Sequence, residues 1–219
     1  YSKNQNKQAI RVAVLDTGYS PVPDWALRQQ QCGLWPFGWD FVQAGRALGG
    51  DPLPEDGHAS LHGTRISRII FKEFEGARIV PVKIASDNGV CELYDVLCGL
   101  EYARVHGCRV VNASFVFPAK QGTDIHPLKY MVEALTRAGI WIIAAAGNAQ
   151  TYKNMSQGHS AKIGEPNGLL LYPACYSEDK AENRIITVTT VGRLKGQLDN
   201  LAAQIPISTG IENGQHFTY

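Results

Sequence analysis

Residues 10–18 have the sequence IRVAVLDTG, a run of mostly apolar and partly β-branched residues that ends in aspartate, threonine and glycine. This composition predicts a buried β-strand followed by a turn. Similar strands are predicted at 77–85 (ARIVPVKIA), 108–115 (CRVVNASF), 140–148 (IWIIAAAGN) and 184–192 (RIITVTTVG). Asp16 therefore lies where the first strand ends, and the ligand crevice of a parallel sheet opens beyond that end.

Segments with helical periodicity separate these strands, at 64–74 (TRISRIIFKEF), 93–107 (LYDVLCGLEYARVHG) and 127–139 (PLKYMVEALTRAG). The side chains expected on the apolar faces of the first two are Ile66, Ile69, Ile70 and Phe74, and Leu93, Leu97, Leu100 and Val105. Buried strands that alternate with helices predict a doubly wound α/β fold, a mostly parallel sheet with helices on both faces. The polar stretches 21–58 and 150–179 are predicted to be loops, so one domain over 1–219 is expected.

Composition excludes several classes of partner. The chain has 219 residues, 44% of them hydrophobic, with 21 basic and 20 acidic side chains. This near-neutral balance argues against nucleic acid as a partner, and no apolar run approaches the roughly 18 residues of a membrane span. There is no G-x-G-x-x-G or G-x-x-x-x-G-K-[ST] motif, so a nucleotide-binding protein is a weak interpretation and no cofactor is expected. The sequence predicts a soluble protein with no membrane partner.

The five cysteines include no C-x-x-C pair. This argues against a zinc site, so no metal is expected, and an odd number excludes a complete set of disulfides. Buried free thiols are the first interpretation, and one or two disulfides are the alternative. The odd number favours a reducing compartment without deciding between a cytoplasmic and a secreted protein.

Three polar residues carry the strongest chemical indications. Asp16 ends a strand, His62 begins a helix and is followed by Gly63 and Thr64, and Asn148 ends the run IIAAAGN. A strand-terminal aspartate also occurs as a helix cap or metal ligand, and a histidine at a helix start is often structural. The small residues beside Asn148 fit an oxyanion hole, since an amide donor there meets no bulky neighbour, although an ordinary turn has the same composition.

In this order, the segments AVLDTG, HGT, LCGLEYARVHGCRVVNASF and AGIWIIAAAGN resemble the subtilisin-like serine proteases, from about Arg11 to the end of the sequence. YPACYSEDKAENRIITVTTVG also resembles that family's tyrosine-proline loop and the strand after it. The resemblance implies a serine endopeptidase that hydrolyses peptide bonds in a peptide or protein substrate. In it, Asp16 would orient and stabilise an imidazolium, His62 would act as general base, and Asn148 would donate to the oxyanion.

The resemblance also implies a substrate site. Ser114, Phe115, Ala145 and Gly147 would line the primary specificity pocket, and residues 87–96 with Cys91 would pair with the substrate backbone as an edge strand. Val116, Val90 and Cys91 depart from the family pattern and are expected to narrow the groove. Arg65 and Arg68 stand where the family has small residues facing the core, and the sequence leaves no room for a calcium-binding loop after this helix.

The largest departure concerns the nucleophile. The family's Gly-Thr-Ser-x-Ala motif occurs nowhere in the sequence, and Ser208 in PISTG lacks its small neighbours. We expect the serine and its buried helix to lie outside these residues, either in a continuation of a domain that is incomplete at its C-terminus or on a second chain or fragment. The alternative is a catalytically inactive pseudoprotease that binds a peptide or protein partner.

Overall fold

The computed structural model describes residues 9–20, 38–43, 54–74, 76–120, 125–147, 169–178, 184–188, 192–194 and 197–199. The chain divides into two compact units. The first comprises Tyr1–Ala113 with Arg137–Ile140, and the second comprises Ser114–Thr136 with Trp141–Tyr219. Asp16, His62 and Cys91 lie in the first unit, and the four residues expected to line the specificity pocket lie in the second, together with Val116.

In the first unit, the described residues form four strands and two helices: β1 (Ile10–Asp16), β2 (Trp39–Asp40), α1 (His62–Glu73), β3 (Ala77–Lys83), α2 (Leu93–Val105) and β4 (Val110–Ala113). The strands are parallel and lie in the order β2, β3, β1, β4. The apolar runs at the centre of this order are buried, as expected for strands covered on both faces. The predicted strands at 10–18, 77–85 and 108–115 are confirmed.

The two helices cover opposite faces of this sheet. Val14 of β1 belongs to an apolar cluster against which Ile66 and Ile70 of α1 pack. The next residue, Leu15, points to the other face because side chains alternate along a strand. There, a Cβ atom added to Gly99 of α2 would lie 3.5 Å from Leu15 Cδ2, so α2 approaches the sheet closely. The predicted doubly wound α/β arrangement is confirmed in this unit.

The predicted apolar face of α1 was only partly right. Ile69 and Phe74 are exposed, and the buried residues are the small ones, Gly63, Thr64 and Ser67. Arg65 and Arg68 are also exposed, so the expectation that they replace small residues against the core was wrong. The first turn of α1 comes so close to β1 that only small side chains fit, and hydrophobic periodicity does not register this constraint.

The predicted face of α2 also needs correction. Val105 is exposed, whereas Val96, Leu100 and Ala103 are buried. Spacings of three and four residues keep Val96, Leu100 and Ala103 on one side of the helix, and Val105 lies away from that side. The helix ends before Gly107, which has φ +65°, so the predicted glycine stop is confirmed.

In the second unit, the described elements are β5 (Phe117–Lys120), α3 (His126–Arg137), β6 (Trp141–Ala145), β7 (Leu169–Tyr172), a 3₁₀ helix (Ala174–Glu178), β8 (Ile185–Val188), β9 (Gly192–Leu194) and β10 (Gln197–Asp199). β6 and β8 are parallel, whereas β5–β7 and β9–β10 are antiparallel pairs. The strands predicted at 140–148 and 184–192 are confirmed over Trp141–Ala145 and Ile185–Val188, and residues 148 and 189–191 lie outside the described residues.

Two stretches predicted to be loops contain regular structure. β2 lies within 21–58 and pairs with β3, while β7 and the 3₁₀ helix lie within 150–179. A two-residue strand has no measurable periodicity, so the sequence pattern could not identify β2. Among the described residues, no helix combines the length and apolar character needed to cross a membrane.

Candidate active site

The structure brings Asp16 and His62 together at the carboxyl end of β1. Nδ1 of His62 lies 2.8 Å from Oδ1 and 3.0 Å from Oδ2 of Asp16. The Asp16 side chain is buried, while 46% of the His62 side chain is exposed. Nε2 of His62 has no hydrogen-bond partner among the described residues. A carboxylate on Nδ1 places the proton there and leaves Nε2 as the nitrogen available to a reacting group.

The hydrogen bond to Asp16 raises the pKa of His62 above its usual value. Partial burial acts in the opposite direction, the charges of Asp16 and Asp56 add to the increase, and Arg65 opposes it. The environment therefore favours the protonated imidazole. A general base needs such an environment, since it must hold the proton that it takes from a nucleophile.

Thr17 follows Asp16 in the sequence and Gly63 follows His62, and these two residues contact each other directly. The Thr17 amide donates to Oδ1 of Asp16 at 2.7 Å, and the Gly63 amide donates to the Thr17 hydroxyl at 3.0 Å. A Cβ atom on Gly63 would collide with the carbonyl oxygen of Gly18 and approach Cβ of Asp16 to 3.0 Å. Glycine at position 63 is therefore required for His62 to reach Asp16.

Asp56, which sequence analysis did not identify, lies beside this pair and is buried. Its Oδ1 accepts hydrogen bonds from the Thr17 hydroxyl (2.9 Å) and the His58 amide (3.2 Å). Its Oδ2 accepts from the Thr64 amide (2.9 Å) and hydroxyl (2.7 Å). Burial alone would raise the pKa of Asp56, but these hydrogen bonds, of which that from the Thr64 hydroxyl is the strongest, hold the pKa below its usual value.

Leu61 immediately precedes His62 and has a left-handed backbone, with φ 50° and ψ 52°. Its amide donates to the His58 carbonyl at 2.7 Å, and its carbonyl accepts the Arg65 amide at 2.9 Å. This conformation is unfavourable for leucine and turns the chain into α1 without a side-chain cap. Leucine rarely adopts a left-handed conformation, so this turn could not be predicted from the residue type.

The segment expected to pair with substrate is attached to the main chain of Asp16. The Asp16 carbonyl accepts the amides of Ile84 (3.0 Å) and Ala85 (3.2 Å). Ala85 in turn forms an isolated antiparallel bridge with Cys91. Residues 86–89 form the turn between them, with Gly89 at φ +75°. Residues 85–91 are thus fixed at one end to the strand that carries Asp16. Of the residues 87–96 expected to pair with substrate as an edge strand, 93–96 lie instead in the first turn of α2, so that part of the expectation was wrong. The edge segment is therefore 85–91.

Cys91 is half-buried on this segment, and its thiol is weakly acidic. Burial raises the pKa of Cys91 to about 12, and the charges of Asp16, Asp95 and Glu92 contribute to the increase. Cys98 and Cys108 are also free thiols. The first interpretation, buried free thiols, is right in full for Cys108, whereas Cys91 and Cys98 are free but only half-buried. Val90, which precedes Cys91, is exposed.

The residues expected to form the specificity pocket lie in the second unit. Phe115 is buried with its ring 5.7 Å from that of Phe117, in an edge-to-face arrangement. Ser114, Val116 and Ala145 are half-buried, and Gly147 has φ +87°. Asn148, the predicted oxyanion donor, and Ser208 lie outside the described residues. The pocket and the oxyanion hole therefore stay predictions.

The described residues contain no group of three or more His, Cys, Asp and Glu side chains that could hold a metal ion. The most enclosed carboxylate near the pair, that of Asp56, already accepts four hydrogen bonds from protein groups. Its two oxygens have about four lone-pair sites between them, so little capacity is left for a cation.

Comparison with known proteins gives one family. The sequence profile of the subtilase family matches residues 7–206. Subtilisin Savinase from Lederbergia lenta is 28% identical over 158 residues, which are 68% of this chain and 51% of that protein. M-protease from Shouchella clausii is also 28% identical, over 68% of this chain and 36% of that protein. The chain thus spans about half the length, or less, of these curated relatives.

Solved structures show the same fold. The nisin leader peptidase NisP from Lactococcus lactis has a TM-score of 0.60 and 20% identity, covering 84% of this chain and 56% of that one. The epidermin leader peptide processing serine protease EpiP from Staphylococcus aureus has a TM-score of 0.54 and 15% identity, covering 84% and 47%. At these identities the likeness concerns the fold, and it confirms the predicted fold class.

Proposed function

Because the chain belongs to the subtilase family, we propose that it carries the Asp–His part of a serine endopeptidase, with Asp16 and His62 as two members of the triad. The observation that carries the proposal is the contact of Nδ1 of His62 with both oxygens of the buried Asp16 carboxylate, at 2.8 and 3.0 Å. The aspartate and histidine of a serine protease triad make a contact of this kind, which supports the proposal.

The proposed chemistry follows from the two nitrogens of His62. With Nδ1 held by Asp16, Nε2 takes the proton of a serine hydroxyl as the oxygen attacks a peptide carbonyl. The imidazolium then returns the proton to the leaving amine. Asp16 stabilises the imidazolium throughout, which agrees with the raised pKa of His62. Asn148 is proposed to donate to the oxyanion of the tetrahedral intermediate.

The nucleophile is proposed to come from a segment outside these 219 residues, since the Gly-Thr-Ser-x-Ala motif is absent from the sequence. That segment would be either a continuation of the chain or a second chain. Cys91 is an unsuitable substitute although it lies on the segment attached to Asp16. With a pKa of about 12, only about 10⁻⁵ of its thiol is ionised at pH 7.

The proposed substrate is an extended peptide or a peptide segment of a protein. Segment 85–91 would add the substrate backbone as a strand, and Ser114, Phe115, Ala145 and Gly147 would receive a side chain. Exposed Val90 and half-buried Val116 would narrow the groove and restrict the accepted sequences. The relatives that process leader peptides are compatible with such a restricted substrate.

A second candidate is a pseudoprotease that binds a peptide or protein partner without cleaving it. The absence of the serine motif favours it. The preserved contact between Asp16 and His62 argues against it, because binding alone requires no oriented general base. Only the first candidate cleaves its substrate, so an experiment that detects a reactive nucleophile distinguishes the two.

The deciding experiment uses the natural gene product and a fluorophosphonate probe, which labels activated serines. We expect labelling and cleavage of a peptide library that both disappear in His62→Gln. His106→Gln serves as the matched control, because this histidine bonds the Tyr102 carbonyl at 2.9 Å and takes no part in the proposed chemistry. A folded gene product that binds peptides but is neither labelled nor able to cleave them would support the pseudoprotease.

A further inference from the structure

We infer that Asp56 is a positioning residue for the Asp16–His62 pair: its carboxylate joins the end of β1 to the first turn of α1 and so fixes the imidazole on Asp16. This inference deepens the proposed function and rests on it. The network consists of Asp56, Thr17 and Thr64 with the main-chain groups that they bind.

The Asp56 side chain connects the end of β1 to the first turn of α1. Oδ1 of Asp56 binds the hydroxyl of Thr17, the residue that follows Asp16. Oδ2 binds the amide and hydroxyl of Thr64, which lies two residues after His62. One side chain therefore bridges two elements that approach each other from distant parts of the sequence. It forms this bridge without contacting Nε2 of His62.

The hydroxyls of Thr17 and Thr64 both donate towards Asp56. The Thr17 hydroxyl accepts the Gly63 amide and donates its own proton to Asp56, because an ionised carboxylate can only accept. The Thr64 hydroxyl accepts the Ser20 amide and likewise donates to Asp56. Each series of hydrogen bonds starts at a main-chain amide, passes through a threonine hydroxyl and ends on the carboxylate of Asp56. Asp56 thus sets the orientation of both threonine hydroxyls.

The groups around the side chain of Asp56 require a carboxylate at this position. All four groups that contact Asp56 are donors: two amides and two hydroxyls. An asparagine would present an NH₂ group on one side, where it would face two of these donors whichever way it was turned. A buried donor without an acceptor is destabilising. The site therefore selects aspartate over its isosteric amide.

The negative charge of Asp56 also acts on His62. The carboxylate of Asp56 is buried, and none of the four groups that donate hydrogen bonds to it is a cation. Its negative charge adds to that of Asp16 in raising the pKa of His62. Asp56 therefore acts on the imidazole both through geometry, by way of the two threonines, and through its field.

The test separates these two contributions by NMR of the His62 imidazole in the 219-residue chain. Asp56→Asn removes the charge and the acceptor, and Thr17→Val removes one arm of the network while leaving the charge in place. Thr17→Ser keeps the hydroxyl and should restore the wild-type signal. Glu55→Gln is the matched control, since it removes the same charge from the neighbouring exposed side chain.

We expect Asp56→Asn to lower the pKa of His62 and to weaken the signal of the proton on Nδ1, because the imidazole is no longer held on Asp16. Thr17→Val should produce a smaller change in the same direction, whereas Thr17→Ser and Glu55→Gln should match wild type. In the natural gene product, Asp56→Asn should lower kcat about 100-fold, as expected for a misplaced reacting group, with little change in KM.

A folded Asp56→Asn chain with the wild-type His62 pKa and Nδ1 proton signal would overturn the inference. If Asp56→Asn does not fold, Thr17→Val is the deciding variant. An unchanged pKa of His62 in Thr17→Val would then overturn the inference. The NMR measurement needs no nucleophile. A gene product that lacks peptidase activity would thus contradict the proposed function while leaving the positioning role of Asp56 to be decided by the imidazole titration.

Discussion

Thr64→Val tests how strongly the Asp56 network stabilises the fold. The Thr64 side chain is buried, and its hydroxyl donates to Oδ2 of Asp56 at 2.7 Å and accepts the Ser20 amide at 2.9 Å. Valine has nearly the same shape and a similar helix propensity, so packing and propensity change little. Loss of a hydrogen bond to a charged group costs about 1.5–3 kcal/mol, and an amide left without its partner costs about 1 kcal/mol more.

The expected destabilisation is therefore about 3 kcal/mol. In a domain of this size, 1 kcal/mol corresponds to about 2–4 °C in Tm, so Tm should fall by about 6–12 °C. The assay is urea unfolding followed by circular dichroism. The midpoint should move to lower urea while the slope m stays constant, since the change concerns stability and not the surface exposed on unfolding.

Ser67→Ala provides the matched control in the same helix. Ser67 is completely buried, and its hydroxyl has no hydrogen-bond partner among the described residues. Removal of this hydroxyl relieves the cost of burying an unpaired polar group, and alanine is the better helix former. We expect this variant to be about as stable as wild type or up to about 1 kcal/mol more stable. If Thr64→Val lost no more stability than Ser67→Ala, the network would not stabilise the fold.

Three further predictions concern the surroundings of His62. Its pKa is raised in the folded protein, so its ion pair with Asp16 should stabilise the fold fully below about pH 6.5. That contribution should be lost as pH rises through the raised pKa. Because His62 is half exposed, the pH-dependent stability difference between wild type and Asp16→Asn should stay below about 1 kcal/mol in urea unfolding at several pH values. Gly63→Ala should be destabilising by about 1–2 kcal/mol in the same assay, since overpacking against backbone outweighs alanine's helix propensity. Leu61→Asn should raise Tm by about 2–4 °C, because asparagine tolerates the left-handed conformation that costs leucine about 1 kcal/mol. A lower Tm would show that Leu61 is held by its side chain.

The pairing of Asp16 with His62 could be predicted from the sequence only through the resemblance to the subtilases. Periodicity places Asp16 at the end of an apolar strand and His62 at the start of a helix. Both residues are therefore expected near the crevice of a doubly wound sheet, but this pattern alone does not pair them. The order of the segments, in which they resemble the subtilases, added their roles. The structure confirms the contact between the two side chains.

Asp56 could not be predicted in the same way. It lies in a glycine-containing stretch without periodicity, and its partners Thr17 and Thr64 become neighbours only in the folded chain. Ser67 was missed for a related reason: hydrophobic patterns favour Ile69 as the buried residue of α1, but close approach of the helix selects small side chains. The information is present in the sequence as residue size and hydrogen-bonding capacity, which periodicity does not measure.

Thr17 explains why the sequence DTG carries more information than its aspartate alone. Its amide donates to Asp16, its hydroxyl binds Asp56 and Gly63, and its carbonyl accepts the buried ammonium of Lys83 at 2.6 Å. All three of its polar groups are therefore used, and each connects to a different part of the first unit. A residue without a hydroxyl would break the link to α1. The placement of Asp16 against His62 therefore depends on the threonine between the strand and the turn as much as on the aspartate itself.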